Sequence, residues 1–168
     1  EDNWIDQASA TLDFMRTQAW SDSGLHAVVA GGAARFPAYL DDHAGLLAAC
    51  LSLLRARWRR ADFDFALTLA DTLLERFRDH ENGGFFFTAE GAEAPIHRLR
   101  PWQDDALPSG NGVAARALIQ LGHLTVALDG GADRTRARSD AEASARALAQ
   151  EGVECLVLDT ARRPEAAL

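Results

Sequence analysis

Residues 40–77 read LDDHAGLLAACLSLLRARWRRADFDFALTLADTLLERF, with two runs of apolar residues at the three- and four-residue spacing of an α-helix. The spacing predicts helices over 42–58 and 62–79, with Asp62 as the N-cap of the second. Only a few residues separate the two helices, and a short connection is typical of antiparallel neighbours. The sequence therefore predicts a helical hairpin at the centre of the fold.

Two more helices are predicted, one on either side of this hairpin. Apolar residues at helical spacing predict a helix over 3–19 and another over 109–127. The side chains predicted to lie on the apolar faces include Trp4, Leu12, Met15, Leu47, Cys50, Leu54, Trp58, Phe63, Leu69, Phe77, Leu118 and Leu121. The predicted fold class is all-α, an array of helical hairpins.

Two short β-hairpins are predicted between the helices. The Gly31-Gly32 pair predicts a turn in a hairpin over 25–38. Three consecutive phenylalanines predict a buried strand at 85–87, paired with 95–102. Both hairpins lie in long connections between helices, whereas the connection between the two central helices is short. We therefore expect both hairpins at one end of the helical array and the short connection at the other.

The chain divides into two parts at residue 128. Residues 1–128 contain the helices and hairpins and are predicted to form one domain. Residues 129–168 contain a polar linker, an alanine-rich, helix-prone segment at 136–150 and a short apolar stretch predicted to be extended.

Composition and charge exclude several classes of protein. Hydrophobic residues make up 48% and charged residues 25% of the chain, which is typical of a globular domain. A formal net charge of −8 disfavours nucleic acid, whose phosphates it would repel. No apolar run reaches the ~18 residues of a membrane span, and the acidic start EDNWIDQ is unlike a signal peptide. We therefore expect no nucleic acid and no membrane as partner.

Histidine and cysteine spacings give no sign of a metal or a cofactor. The five histidines show no HxxxH or HxH spacing, and the two cysteines, Cys50 and Cys155, form no CxxC motif. Two cysteines so far apart favour reduced thiols and hence a cytoplasmic location. We expect neither a metal nor a cofactor.

The stretch LPSGNGVAARAL, residues 107–118, marks the start of the last predicted helix. Ser109 and Asn111 are candidate N-caps, and Pro108 directs the approach of the chain. A helix start also presents free N–H groups that bind anions or hydroxyls, so Ser109, Asn111 and Asp104 would then face a polar ligand. Both interpretations stay open, but the lack of a lysine and of GxGxxG excludes a phosphate loop.

The stretch PAYLDDHAGLL, residues 37–47, places two carboxylates and an imidazole at a helix start. One of Asp41 and Asp42 is needed as the N-cap, and the other is surplus. A carboxylate beside His43 could serve as an acid and base pair, whereas the alternative is stabilisation of the helix dipole. His97, in the second predicted hairpin, is an alternative base.

Three stretches taken together resemble a known family. They are PAYLDDHAGLLAACLSLL at 37–54, LLERFRDHENGGFFFTAE at 73–90 and DDALPSGNGVAARALIQLGHLT at 104–125. The combination resembles the C-terminal region of the thioredoxin-domain-containing proteins related to spermatogenesis-associated protein 20, over roughly residues 1–127. That family is similar to the N-acylglucosamine 2-epimerase group and the six-hairpin glycosidases. The resemblance implies a partial (α/α)6 toroid with the short hairpins at one end.

The motifs of this family carry implications for single residues. The family pattern reads L-D-D-Y-A, G-G-F-F-F-T and D-G-A-x-P-S-G-N; here His43 replaces the tyrosine and Asp105 replaces a glycine. The catalytic histidines of the sugar epimerases match no position in these motifs. The residues that the resemblance implies as facing a cavity are Asp41, Asp42, Asp104, Ser109 and Asn111, and Trp102 is added as a substrate-binding residue.

The resemblance implies a carbohydrate-active module, either epimerase-like or glycosidase-like. Epimerisation needs an acid–base pair across a sugar carbon, and glycoside hydrolysis needs two carboxylates about 5–10 Å apart. The catalytic residues expected on this hypothesis are Asp42 and Asp104, with His43 or His97 as the alternative base. A second hypothesis is a non-catalytic helical scaffold that accompanies a thioredoxin-like domain, and a third is a remnant without activity of its own.

The length of the chain also bears on the expected partners. The twelve helices of a complete (α/α)6 barrel do not fit into 168 residues, which hold about five, so we expect a fragment of a larger protein. An open arc leaves Trp4, Leu12, Met15, Trp58 and Phe77 partly uncovered. The expected partners are a sugar ligand and either a second copy of the chain or a missing N-terminal segment.

Overall fold

A computed structural model describes residues 2–92 and 97–128, which form a mostly helical array with one small antiparallel sheet. The elements in chain order are α1 Asp2–Phe14, β1 Trp20–Ser21, β2 Gly24–Ala30, β3 Ala33–Pro37, α2 Leu40–Ala56, α3 Arg60–Thr72 and α4 Gly110–Leu128. π-Helical segments extend α1 through Met15–Ala19 and α3 through Leu73–Phe77. The four predicted helices are confirmed, whereas the predictions for 129–168 lie outside the described residues. None of the described helices is long and apolar enough to cross a membrane.

The core is built around α2. This helix packs against both α3 and α4, and α1 also contacts it. Small side chains are fully buried on the facing helices, Ala44 on α2 and Ala114 on α4, and small residues let helix axes approach closely. The other fully buried side chains of the core include Leu40, Leu47, Cys50, Ala66, Leu69, Leu73, Phe77 and Phe85.

The exposure of the large apolar residues agrees with the prediction at some positions and differs from it at others. Trp58 lies beyond the C-terminus of α2, is 48% exposed and packs on Phe63, so placing it on the apolar face of that helix was wrong. Trp4, at 75% exposure, and Trp58 are uncovered as expected, and Met15 is partly uncovered as expected. Leu12 and Phe77 are buried, so the expectation that they would be partly uncovered was wrong.

The first predicted hairpin is confirmed. β2 and β3 pair antiparallel, with Ala30 opposite Ala33 across the Gly31-Gly32 turn. Both glycines have positive φ, 60° and 76°, as a two-residue turn of this kind requires. β1 pairs with the start of β2, which gives the sheet order β1-β2-β3.

The second predicted hairpin was wrong in its pairing. Phe85 forms an isolated bridge with Arg78, not with the segment at 95–102. That segment, as far as the structure describes it, contacts the phenylalanine stretch through a backbone bond from Phe87 N to the Leu99 carbonyl, at 2.7 Å. The rest of its attachment is made by side chains, which a strand pattern does not reveal.

Arg59 joins α1 to α3. Its guanidinium donates to both carboxylate oxygens of Asp13 at 2.9 and 3.0 Å, and to both of Asp62 at 2.6 and 2.7 Å. Asp62 is fully buried and lies in the first turn of α3, after the N-cap Arg59, so its prediction as the N-cap was wrong. The arginine therefore neutralises a buried carboxylate while it holds the first helix in place.

We predict that Arg59→Met lowers the free energy of unfolding by about 3–5 kcal/mol, because Asp62 would stay buried without its counter-charge. Arg60→Met is the matched control: the Arg60–Asp64 pair is exposed, and its loss should cost less than about 1 kcal/mol. Urea unfolding followed by circular dichroism measures both changes. Equal and small losses would contradict the role given to Arg59.

Candidate functional site

α2 and α4 begin at the same end of the array, because Asp41 on the first turn of α2 lies against Gly110, the first residue of α4. We call the polar and aromatic residues around these two helix starts the rim. They are Tyr39, Asp41, Trp102, Asp104 and Ser109. The Leu40 N–H donates to the Phe87 carbonyl at 3.0 Å, which ties the start of α2 to the phenylalanine stretch.

Asn111 lies beneath the rim and connects three parts of the chain. Its side chain is buried; Oδ1 accepts from Phe85 N at 2.7 Å, and Nδ2 donates to the Phe85 and Pro101 carbonyls at 3.0 and 2.9 Å. Both donors of the amide are therefore occupied by backbone groups. Predicted as a ligand contact or an N-cap, Asn111 instead holds two loops against the first turn of α4.

Ser109 and Asp104 close the first turn of α4. Ser109 Oγ accepts from Gly112 N at 3.2 Å, which is the N-cap contact that the sequence predicts. The Ser109 N–H in turn donates to Asp104 Oδ1 at 2.8 Å. The carboxylate of Asp104 is thus held at a helix N-terminus, where negative charge is stabilised.

Asp41 is the second carboxylate at this helix start. It accepts from the Gly110 N–H, and its Oδ1 lies 2.0 Å from where a Cβ on Gly110 would be. Asp41 and Asp104 therefore contact successive amides of α4. Burial raises the pKa of Asp41, the neighbouring charge of Asp42 raises it further, and the Gly110 N–H opposes both effects. These effects together favour the protonated form of Asp41 relative to an exposed aspartate.

The identified hydrogen bond of Asp42 is to the start of its own helix. Its Oδ2 accepts from Tyr39 N at 2.8 Å, so it caps the start of α2 from inside the first turn. Tyr39, rather than Asp41 or Asp42, occupies the N-cap position. Asp42 and Asp104 lie at the same end of the array, but the member of the aspartate pair that reaches α4 is Asp41.

His43 lies in the core below the rim. It is buried between the rings of Trp20 and Phe77, with centroid distances of 6.4 and 4.8 Å, and Nδ1 is 2.9 Å from the Tyr39 carbonyl. A carbonyl only accepts, so Nδ1 carries the proton. Burial lowers the pKa of His43; the Tyr39 carbonyl and the charge of Asp42 oppose this, and Arg76 adds to it. His43 is therefore held neutral.

An aromatic residue precedes each of the two carboxylates by two positions, Tyr39 before Asp41 and Trp102 before Asp104. Tyr39 is 45% exposed and stacks on Phe87 at 4.7 Å with an interplanar angle of 10°. Trp102 packs on Gly84, where an added Cβ would lie 2.2 Å from the ring. Sequence reasoning named Trp102 but missed Tyr39, although an aromatic residue directly before LDDHA was a visible signal.

Two arginines hold the 97–104 segment in place. Arg98 lies 4.1 Å above the ring of Phe86 and donates to the Thr88 carbonyl, and Arg100 pairs with buried Asp79 at 2.9 Å. Burial raises the pKa of Asp79, but hydrogen bonds from the Asn82 and Glu81 amides and the Arg100 charge bring it below its usual value. The contacts of Arg98, Arg100 and Asp79 were not predicted from the sequence. His97 is exposed at the start of the segment.

The described part of the chain offers no metal site, since it contains no group of three or more His, Cys, Asp or Glu side chains suited to a metal ion. The rim can instead accept hydrogen bonds through its carboxylate oxygens and present flat aromatic faces. These are contacts that a neutral, hydroxyl-rich molecule can use.

Comparison with known proteins gives a homology over half of the chain. No family model matches it. Over 89 residues, 52% of the chain, it is 39% identical to spermatogenesis-associated protein 20 of Homo sapiens and 38% identical to that of Mus musculus. The rat protein of the same name is 37% identical over the same length. The predicted relationship is confirmed over a shorter stretch than expected, and that stretch spans 11% of each relative.

We predict that Gly110→Ala destabilises the fold by about 1–3 kcal/mol, because the new Cβ would collide with the Asp41 carboxylate. Gly122→Ala on the same helix is the control. A Cβ there meets nothing within 4 Å, so the better helix propensity of alanine should stabilise by about 0.5–1 kcal/mol. Thermal unfolding of both variants should show a loss of stability at position 110 and a gain at position 122. An alanine at 110 that leaves the stability unchanged would contradict the close contact between Asp41 and Gly110.

We predict that His43 makes the fold less stable as the pH falls below its ordinary pKa of 6.5. The folded-state pKa is lowered, so the unfolded chain binds the proton more readily, and the stability present above pH 6.5 is lost as the pH falls towards the folded pKa. His43→Gln should flatten this dependence, which is at most about 1.4 kcal/mol per pH unit. His123→Gln, at an exposed position, should leave it unchanged. Urea midpoints between pH 7.5 and 5 test this, and identical slopes in all three proteins would contradict it.

Proposed function

We propose that this chain is part of a carbohydrate-active helical module, with the rim as its sugar-binding surface and a glycosidase-like pair of carboxylates. The observation that carries the proposal is that Asp41 and Asp104 accept hydrogen bonds from successive amides at one helix start, with Tyr39 two residues before the first carboxylate and Trp102 two residues before the second. A sugar ring has a C–H face that packs on an aromatic ring and hydroxyls that donate to carboxylates. The rim presents both kinds of contact.

The two carboxylates suit different roles in glycoside cleavage. The raised pKa of Asp41 favours the protonated form, which a general acid needs to protonate the leaving oxygen. Asp104, held on the Ser109 N–H, would stabilise positive charge on the sugar or direct a water. His43 is buried and bonded to the Tyr39 carbonyl, so an epimerase-like mechanism with His43 as the base is less well supported.

The homology supports only the general relationship. Spermatogenesis-associated protein 20 is much longer than this chain, and its name specifies no substrate. The sugar, the reaction and the contribution of any further segment therefore belong to the proposal. Released nitrophenol from a panel of 4-nitrophenyl glycosides is the direct assay, with the whole chain as the enzyme.

We predict that Asp41→Asn lowers turnover of the accepted glycoside by about 10²-fold or more, the usual contribution of a general acid. Asp104→Asn should lower it as well while keeping the oxygen that accepts from Ser109 N. Asp64→Asn, an exposed carboxylate on α3, is the control and should leave the rate unchanged. Failure of the wild-type chain to bind or cleave any sugar in the panel would refute the proposal.

A non-catalytic scaffold is the second candidate, and a specific observation favours it. Ser109, Asp104 and Asn111 all make hydrogen bonds that the fold itself needs. On this hypothesis the chain supports a thioredoxin-like domain of a larger protein and binds no sugar. The two functions separate in the assay above, since a scaffold shows neither sugar binding nor turnover although Asn111→Ala still destabilises it.

A further inference from the structure

Phe36, at the end of β3, is held in a backbone conformation that its side chain disfavours. Its φ is +60°, the single positive φ outside glycine in the described part of the chain. Only glycine and, less often, asparagine or aspartate adopt this region readily, and the following proline restricts residue 36 further. A strained residue of this kind persists only where its surroundings fix it.

The backbone on both sides of Phe36 is fixed. Val28 pairs with Arg35 before it; after it, His26 pairs with Pro37, and Ala38 N donates to the Leu25 carbonyl at 2.9 Å. The strain serves no burial, because Phe36 is 69% exposed. At the turn of the same hairpin, both residues with positive φ, at positions 31 and 32, are glycines. Phe36 differs from them because it combines a positive φ with a large side chain.

Phe36 also lies close to the rim. Consecutive Cα atoms are about 3.8 Å apart, so the Cα atoms of Phe36 and Tyr39 are at most about 11 Å apart. Tyr39 opens α2 directly before Asp41, and its ring is already exposed and stacked on Phe87. Phe36 therefore adds a second exposed aromatic residue three positions from the first, further from the carboxylates along the chain.

We propose that Phe36 forms an outer sugar subsite, so that the ligand of the rim is a neutral oligosaccharide rather than a single sugar. This inference rests on the proposed function. An exposed ring on a fixed backbone offers a flat apolar face to the C–H face of a second sugar unit. Arg35 is the one Asp, Glu, Lys or Arg between Leu25 and Leu40, so the hairpin that carries the ring offers little charge for an acidic or basic ligand.

The test compares ligand length across three proteins. Isothermal titration measures affinity for one- to four-unit series of glucose, mannose, galactose, xylose and N-acetylglucosamine. Phe36→Gly removes the ring and suits the positive φ, so this variant should keep the wild-type unfolding midpoint. Val28→Ala is the control, because Val28 is an exposed apolar residue in a regular part of the same hairpin.

We expect Phe36→Gly to weaken binding of the three- and four-unit sugars by about tenfold, the upper range for an aromatic contact, and to leave the one-unit sugar unchanged. Val28→Ala should match the wild type throughout. Equal affinities of Phe36→Gly and wild type at every length, or an equal loss at every length, would overturn the outer subsite while the proposed function stands. A wild-type chain that binds no sugar would overturn both.

A second copy of the chain is the other occupant that an exposed ring could serve. Sedimentation of the wild type and Phe36→Gly separates this case from sugar binding. A dimer that dissociates on loss of the ring, with no length-dependent change in sugar affinity, would overturn the subsite.

Discussion

The rim depends on one buried amide. Asn111 satisfies the N–H and the C=O of Phe85 and the carbonyl of Pro101, which belong to stretches without regular strands. Buried backbone groups without partners are costly, so this amide adds to the Leu40–Phe87 bond and to the two arginines in holding these stretches against the helices. Because Asn111 is in the first turn of α4, the same residue fixes the loops relative to the amides that Asp41 and Asp104 contact.

Using rim groups for the fold does not remove them from ligand binding. An ionised carboxylate accepts about four hydrogen bonds, and Asp104 gives only one identified oxygen, Oδ1, to Ser109 N. The intramolecular bond therefore orients the carboxylate and leaves its other oxygen able to meet a donor. The packing of Trp102 on Gly84 and of Tyr39 on Phe87 works in the same way, since each fixes one face of a ring. A rim that is ordered before it binds loses less side-chain entropy on binding.

The sequence predicted the elements better than the contacts between them. Helical periodicity located all four described helices, and Gly31-Gly32 located the first hairpin, because these signals are local. Asp62 was wrongly taken as an N-cap because its partner Arg59 precedes it and also bonds distant Asp13. The strand predicted at 95–102 failed for a similar reason: its described part is held mainly by Arg98 and Arg100, whose targets are not visible in any short pattern. The two motifs predicted that the starts of α2 and α4 lie at one end of the array, but not that Asp41 is the aspartate that contacts α4.

The two adjacent aspartates of LDDHA have different roles at the start of α2. The first turn of α2 places Asp42 over the Tyr39 N–H, where it caps the helix, and turns Asp41 towards Gly110. A glycine at 110 is required because the carboxylate occupies the space of a side chain. Burial raises the pKa of Asp41, and the neighbouring charge of Asp42 raises it further. The cap thus does two things: it starts the helix, and it favours the protonated form of the carboxyl group that faces the second helix.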